Sequence, residues 1–245
     1  MRKHLMKDKL KTVIIGDIHG CLEEFQELLE LVDYKSPDVE IILAGDLIDR
    51  GPESAAVVAL CRKLNLRCAQ GNHDLKFIKW WKNAGSTNDV YDKHPHYNQL
   101  SDEDVNYIAR MSPYIKIDDN TIVVHAGLKP GIPLEKQTKD DLCYIRYIDQ
   151  QKKFVSLKKI NNIGSIEQAG AHFWTEWGPF GYNIIYGHQV WEEPRIDKFD
   201  DGTACYGIDT GCCFGGSLSA LIWETKEFVQ VKAKQEYYKS TFKIR

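Results

Sequence analysis

The chain has 245 residues, of which 43% are hydrophobic, and a formal net charge of -3. This fits one well-filled domain and excludes a generally basic surface, so no strong nucleic-acid binding is expected. The charged opening MRKHLMKDKL does not read as a secretory signal and no stretch is apolar for long enough to span a bilayer; seven cysteines without a CxxC pair fit a reducing compartment, so the expected location is cytoplasmic.

Lys11 to Ile15 is β-prone and ends at a glycine, which predicts a buried strand delivering Asp17 and His19 past its carboxyl end. Residues 22 to 33 place Leu22, Phe25, Leu28, Leu29 and Val32 on one helical stripe. A strand over Glu40 to Ala44 precedes Asp46, and a helix over Glu53 to Leu64 follows, with Pro52 in its opening turn. A short strand, Leu66 to Ala69, runs into Gly71-Asn72-His73-Asp74. This alternation predicts a parallel sheet between helices. Leu75 to Ala84 reads as a helix, Gly85 to Leu100 as a loop, and Ser101 to Arg110 as a helix with Ser101 as its N-cap. Tyr114 to Ile117 and Thr121 to Val124 form an expected hairpin that delivers His125. Residues 128–182 have the weakest periodicity and read as a partly helical insertion capping the site. Asn183 to Tyr186, Thr203 to Ile208, Leu218 to Glu224 and Phe228 to Val231 read as mostly antiparallel strands, with a charged tail from Lys232.

Short polar motifs follow most of these strands: Gly16-Asp17-Ile18-His19-Gly20, Gly45-Asp46-Leu47-Ile48-Asp49-Arg50-Gly51, Gly71-Asn72-His73-Asp74, His125-Ala126-Gly127, Tyr186-Gly187-His188 and Asp209-Thr210-Gly211. Carboxylate, imidazole and amide donors at strand ends suit two cations held roughly 3.5–4 Å apart. Asp46 is the candidate bridging ligand. Asp17 and His19 would complete one metal's protein ligands, and Asn72, His125 and His188 the other's. Such a set suits Mn, Fe or Zn better than Ca. Manganese is the expected metal, with Fe, Zn, Co or Ni as alternatives. His73, next to Asn72, is assigned as a general acid with Asp49 as its partner; the alternative is a structural histidine. Arg50 is assigned to grip a phosphoryl group, against a surface salt bridge.

The ordered set resembles the phosphoprotein phosphatase superfamily of metallophosphoesterases, whose pattern runs GDxHG, GDxxDRG, GNHE, HAG, GH. The resemblance implies an α/β, calcineurin-like metallophosphoesterase fold, with central mixed β-sheets in a sandwich flanked by helices. It carries the family's metal ligands to Asp17, His19, Asp46, Asn72, His125 and His188, its catalytic pair to His73 and Asp49, and its phosphate-binding arginine to Arg50. Asp74 departs from the pattern, where the family has Glu. Tyr144-Ile145-Arg146-Tyr147 and the run from Asp209 to Leu221 are similar to the compact bacterial branch that includes dinucleoside tetraphosphatases and the phosphatase modules of RNA-repair enzymes. By that resemblance Arg146 is a second phosphate-binding arginine, against a helix-surface charge. Asp209 is read as structural in preference to a ligand. Trp174 and Trp177 are read as core residues, with stacking on a base as the alternative.

The expected activity is metal-dependent hydrolysis of dinucleoside polyphosphates such as diadenosine tetraphosphate, with hydroxide attacking phosphorus and two divalent ions as cofactors. A protein serine/threonine phosphatase, a phosphatase of nucleic-acid ends and a metal-bound scaffold without catalysis are the alternatives. The expected partner is a small nucleotide or phosphoester, with no membrane.

Overall fold

A computed structural model describes residues 10–84 and 95–239. β1 (Lys11–Ile15), β2 (Val39–Leu43) and β3 (Arg67–Cys68) lie side by side and parallel, with Val13 opposite Ile41 and Leu43 opposite Cys68. The crossovers between them are α1 (Leu22–Leu31) and α2 (Ser54–Lys63). On the other side of β1 the sheet continues antiparallel through β13 (Ser217–Ile222), which also pairs with β12 (Asp209–Thr210) and β14 (Glu227–Lys232).

The side-chain alternation along β1 explains the layering. Val13 and Ile15 point into a core shared with Phe25, Leu28, Val57 and Val58 of the helices. Ile14 points the other way, into a core shared with Ile42, Val123, Ile185, Ile208 and Leu221. A strand buried on both faces loses the polar–apolar alternation and reads as a continuous apolar run, as β1 does. The expectation of helices on both faces is therefore corrected. One face carries helices, and the other packs on a second sheet of order β10 (Arg195–Lys198), β11 (Ala204–Gly207), β9 (Asn183–Tyr186), β5 (Thr121–Val124) and β4 (Tyr114–Asp118). The mixed-sheet sandwich implied by the resemblance is the fold observed.

Within that second sheet β9 runs parallel to both neighbours, β5 and β11; of the closing strands expected to be mostly antiparallel, β13 and β14 are so paired and β9 with β11 is not. Only the outer pairs, β4 with β5 and β10 with β11, are antiparallel. The strand β10 escaped the sequence reading because Arg-Ile-Asp-Lys lacks an apolar run.

Helix boundaries differ in one place that bears on the site. α3 spans Asn72–Ala84, so Asn72, His73 and Asp74 form its first turn and do not precede it. α4 (Asp102–Ala109) carries the expected Ser101 cap, whose Oγ accepts from the Asp104 amide at 3.2 Å. Glu53 is the N-cap of α2, which leaves Pro52 just outside that helix. Of the expected loop from Gly85 to Leu100, residues 85–94 lie outside the described residues; Pro95–Gln99 is a 3-10 turn.

Residues 128–182 hold more strand than expected. α5 (Lys139–Tyr144) leads into a three-stranded sheet of order β7 (Phe154–Val155), β6 (Tyr147–Asp149) and β8 (Ala171–Phe173), with α6 (Leu157–Ile163) between β7 and β8. Trp174 is fully buried there, and a Cβ on Gly127 would fall 2.4 Å from its ring. Trp174 is thus a packing residue, and stacking on a base is excluded for it. No helix among the described residues is long and apolar enough to cross a membrane.

Candidate active site

The two sheets end their strands at the same place. Asp17 and His19 follow β1, Asp46, Asp49 and Arg50 follow β2, and Asn72 and His73 follow β3. His125 follows β5 and His188 follows β9. Crevices outside the carboxyl ends of parallel strands are where α/β folds place their ligands. The loops are tied to one another through the backbone, since the amides of Ile18 and His19 donate to the Asp46 carbonyl at 3.2 and 2.8 Å. The His188 amide donates to both oxygens of Asp17, at 3.1 and 3.2 Å.

Backbone strain concentrates here. Nine residues other than glycine take a positive φ among those described, and five of them are His19, Asp46, Asp49, Arg50 and His188. That conformation is rare for residues with a β-carbon and clusters at functional sites.

Asp46 is the hub. Its Oδ2 lies 3.4 Å from His19 Nε2 on one side and 3.4 Å from His125 Nε2 on the other. The Nδ1 atoms of those rings face backbone carbonyls, His19 to Ile48 at 2.8 Å and His125 to Ala44 at 2.9 Å. A carbonyl only accepts, so Nδ1 carries the hydrogen and each ring presents Nε2 to Asp46. Asn72 Oδ1 sits 3.0 Å from His125 Nε2. Two groups of donors could each hold a cation, His19 with Asp46 and His73, and Asp46 with His125 and His188, and Asp46 is common to both. Asp17 stands farther out, 3.9 Å from His19 Nε2 and from His125 Nδ1.

The electrostatics fit a cation pair. Burial raises Asp17 well above the usual carboxylate range, and the nearby Asp209 adds to it. Asp209 is raised by burial as well. Burial opposes the charge on Asp46, but His125 and His73 outweigh it and hold this carboxyl ionised. Burial and Arg50 keep His19 neutral, and burial and Arg146 do the same for His188. Neutral imidazole is the form that binds metal; His125 differs, since burial lowers it but Asp46 and Asp17 outweigh that and push it up to about 9. Buried carboxylates are costly unless they are neutralised, paired or bound to a metal, and the donors gathered here are of the kind that could hold one.

Around this hub stand the groups expected to meet substrate. His73 Nδ1 and Asp49 Oδ2 are 2.5 Å apart. Arg50 Nη1 lies 2.5 Å from His19 Nε2 and Nη2 lies 3.1 Å from His73 Nε2, and the Phe214 ring packs 5.0 Å from its guanidinium carbon. Arg146 Nη2 donates to the His188 carbonyl at 2.7 Å, while its Nε is buried without a hydrogen-bond partner among the described residues. A buried guanidinium N–H without a partner, on a side chain near enough to Arg50 to feel its charge, is suited to an anion. Every sequence-predicted site residue is thus brought to this one region.

Two contributors were missed or underrated. Tyr97, in the 3-10 turn of the expected loop, is buried and donates to Asp49 Oδ2 at 3.3 Å. Its only signal was an aromatic in a polar stretch. Asp74 is fully buried and accepts from the amides of Asp46 (2.9 Å), Gly71 (3.1 Å) and Leu47 (3.2 Å). It clamps the loop after β2 to the loop after β3, and burial together with Asp46 pushes its carboxyl up to about 7. The shorter Asp performs this bracing where the family pattern has Glu. Asp209 accepts from the Gly211 amide at 3.0 Å, in keeping with a structural role.

A family profile for calcineurin-like phosphoesterases matches residues 10–223. Among curated relatives, bis(5'-nucleosyl)-tetraphosphatase PrpE (asymmetrical) of Oceanobacillus iheyensis is 30% identical over 95% of this chain and 96% of its own. The symmetrical bis(5'-nucleosyl)-tetraphosphatase of Wigglesworthia glossinidia brevipalpis is 27% identical over 90% and 98%. A crystal structure of a candidate diadenosine tetraphosphatase superimposes with a TM-score of 0.75 at 25% identity, covering 93% of this chain and 95% of that one. A yeast protein serine/threonine phosphatase shares the fold at a TM-score of 0.57 and 13% identity. The profile spans every motif loop described above and every strand except β14, and on that ground the chain belongs to the calcineurin-like phosphoesterase family.

Proposed function

We propose that this phosphoesterase hydrolyses dinucleoside polyphosphates of the diadenosine tetraphosphate type, with two divalent cations, manganese in the first place, sharing Asp46. The observation that carries the proposal is the single carboxylate set between His19 and His125, each presenting Nε2 at 3.4 Å. The curated relatives named as tetraphosphatases match nearly the whole chain and support the substrate class.

The cations, when bound, supply positive charge and lower the pKa of a water to near neutrality, to about 7 in the best case. Asp17 and His19 would hold one of them, and Asn72, His125 and His188 the other. Arg50 and Arg146 bind the phosphoryl oxygens. To do so, Arg50 gives up its contacts with the imidazoles of His19 and His73. His73 Nε2, released from Arg50, then carries the proton delivered to the leaving phosphate oxygen. Asp49 fixes the ring through Nδ1, and Tyr97 in turn fixes Asp49. We take the whole chain as one domain, with 128–182 an insertion that brings Arg146 to the site, and the cytoplasm as its compartment.

The test is a comparison of kcat/KM with Mn²⁺ for diadenosine tetraphosphate, a phosphopeptide and a phosphorylated oligonucleotide. The proposal expects the dinucleotide to lead. A clear lead for the phosphopeptide would replace it with a protein phosphatase.

A further inference from the structure

A concavity of about 440 Å³ lies between α3, α5 and the hairpin of β6 and β7. Its apolar wall is built by Tyr144, Ile145, Ile148 and Phe154. Phe154 is 54% exposed, unusual for a large apolar side chain, and Tyr144 is half-buried. The volume falls in the range of small-molecule sites, roughly 300–1,000 Å³.

Its charge is uneven. Lys79 is engaged by Asp140 at 2.6 Å, and Asp141 is occupied by the capping box of Thr138. Lys129 and Lys152 also line the concavity, and among the described residues neither ammonium group has a carboxylate partner. An apolar aromatic wall beside two lysines without carboxylate partners, on a lining where three lysines outnumber two aspartates, matches a ligand with a flat ring at one end and anionic groups beside it.

Two lining residues connect the concavity to the candidate active site. Tyr144 lines it, while its hydroxyl donates to the Asn72 carbonyl at 3.4 Å. Ile145 also lines it, and the next residue, Arg146, reaches the His188 backbone. Along α3 the step from Asn72 to Lys79 is about 10 Å. That is the reach of a short polyphosphate chain leaving the reacting phosphorus.

We infer that this concavity receives the distal nucleoside of a dinucleoside polyphosphate. The base lies against Tyr144 and Phe154, and Lys129 and Lys152 face the phosphates that join it to the reacting centre. The assignment rests on the activity proposed above and adds to it the residues that select a substrate with a second nucleoside.

The experiment compares wild type with the double variant Lys129→Glu/Lys152→Glu and with Phe154→Ser, all of which change side chains at the surface. The measured quantity is the ratio of kcat/KM for diadenosine tetraphosphate to kcat/KM for an aryl phosphate, with Mn²⁺. An aryl phosphate has no second nucleoside, so the ratio cancels any shared loss of folded or metal-loaded protein. The charge reversal is expected to lower the ratio at least tenfold, chiefly through KM for the dinucleotide, and Phe154→Ser to lower it severalfold. An unchanged ratio in all variants, or equal losses on both substrates, would overturn the subsite and leave the proposed activity standing. A wild-type protein that cleaves aryl phosphate but not the dinucleotide would overturn both.

Discussion

Substituting Gly71 by Ala tests whether the position of Asp46 governs activity. Gly71 is not among the positive-φ glycines, so its backbone accepts an alanine and the whole cost comes from contact. A Cβ there would stand 2.1 Å from Asp46 Oδ1 and 2.2 Å from Asp46 N. The side-chain oxygen could rotate away, but the amide nitrogen cannot. Opening a 2.2 Å approach to the 3.4 Å of ordinary contact requires about 1.2 Å of movement between the loops after β2 and β3. Asp74 ties those loops together through the amides of Asp46, Leu47 and Gly71, so the movement also strains that clamp. Forcing a methyl into a filled site costs about 1–3 kcal/mol, which for a chain of this size is roughly 2–12 °C in Tm. A misplacement of about 1 Å in catalytic geometry costs on the order of 10²-fold in rate. Gly71→Ala is therefore expected to remain folded, with Tm lowered within that range, and to lose about two orders of magnitude in kcat at saturating Mn²⁺. Thermal melting and steady-state assay of the same preparation measure both. A variant with wild-type kcat and Tm would refute the claim that the exact seat of Asp46 matters.

Three further outcomes follow from the same geometry. Gly187→Ala places a Cβ 2.0 Å from Asp17 Oδ1, so it is expected to weaken metal retention at the Asp17 and His19 side, measured by metal content after dialysis; full retention of metal contradicts it. His73→Ala is expected to keep its metal content and lose roughly 10²–10⁴-fold in kcat; loss of metal on that change would make His73 a ligand, as its place in one donor group allows. All seven cysteines are free and buried. Burial raises the thiols of Cys61, Cys68, Cys143, Cys205 and Cys213, so a thiol reagent at pH 8 is expected to leave the folded protein unlabelled and to label it in denaturant. Rapid labelling of the native chain contradicts the buried placement.

The candidate site was more legible in the sequence than the fold that carries it. Asp17, Asp46 and His125 each follow an apolar run, and short glycine-flanked motifs locate them whatever the sheet order. The sheet pairings were harder to read. β1 is apolar on both faces whether helices or a second sheet cover it, so periodicity could not tell a doubly wound sheet from a sandwich. The direction of β9 depends on partners far away in the chain, Thr121 to Val124 and Ala204 to Gly207, and leaves no local trace. The start of α3 at Asn72 rather than Leu75 leaves no apolar signal, because polar Asn72, His73 and Asp74 fill its first turn; their roles at the site, and not helix propensity, fix them there. Tyr97 and the bracing by Asp74 depend on long-range contacts that appear only once the chain is folded.

The central claim is that Asp46 joins two cations in one site. Electron paramagnetic resonance of the Mn²⁺-loaded protein, with metal quantified on the same sample, tests it most directly. The account predicts two manganese ions per chain with the broadened, temperature-dependent spectrum of an exchange-coupled pair, and loss of that coupling in Asp46→Asn. One tightly bound ion per chain with an isolated six-line signal, unchanged in Asp46→Asn, would contradict it.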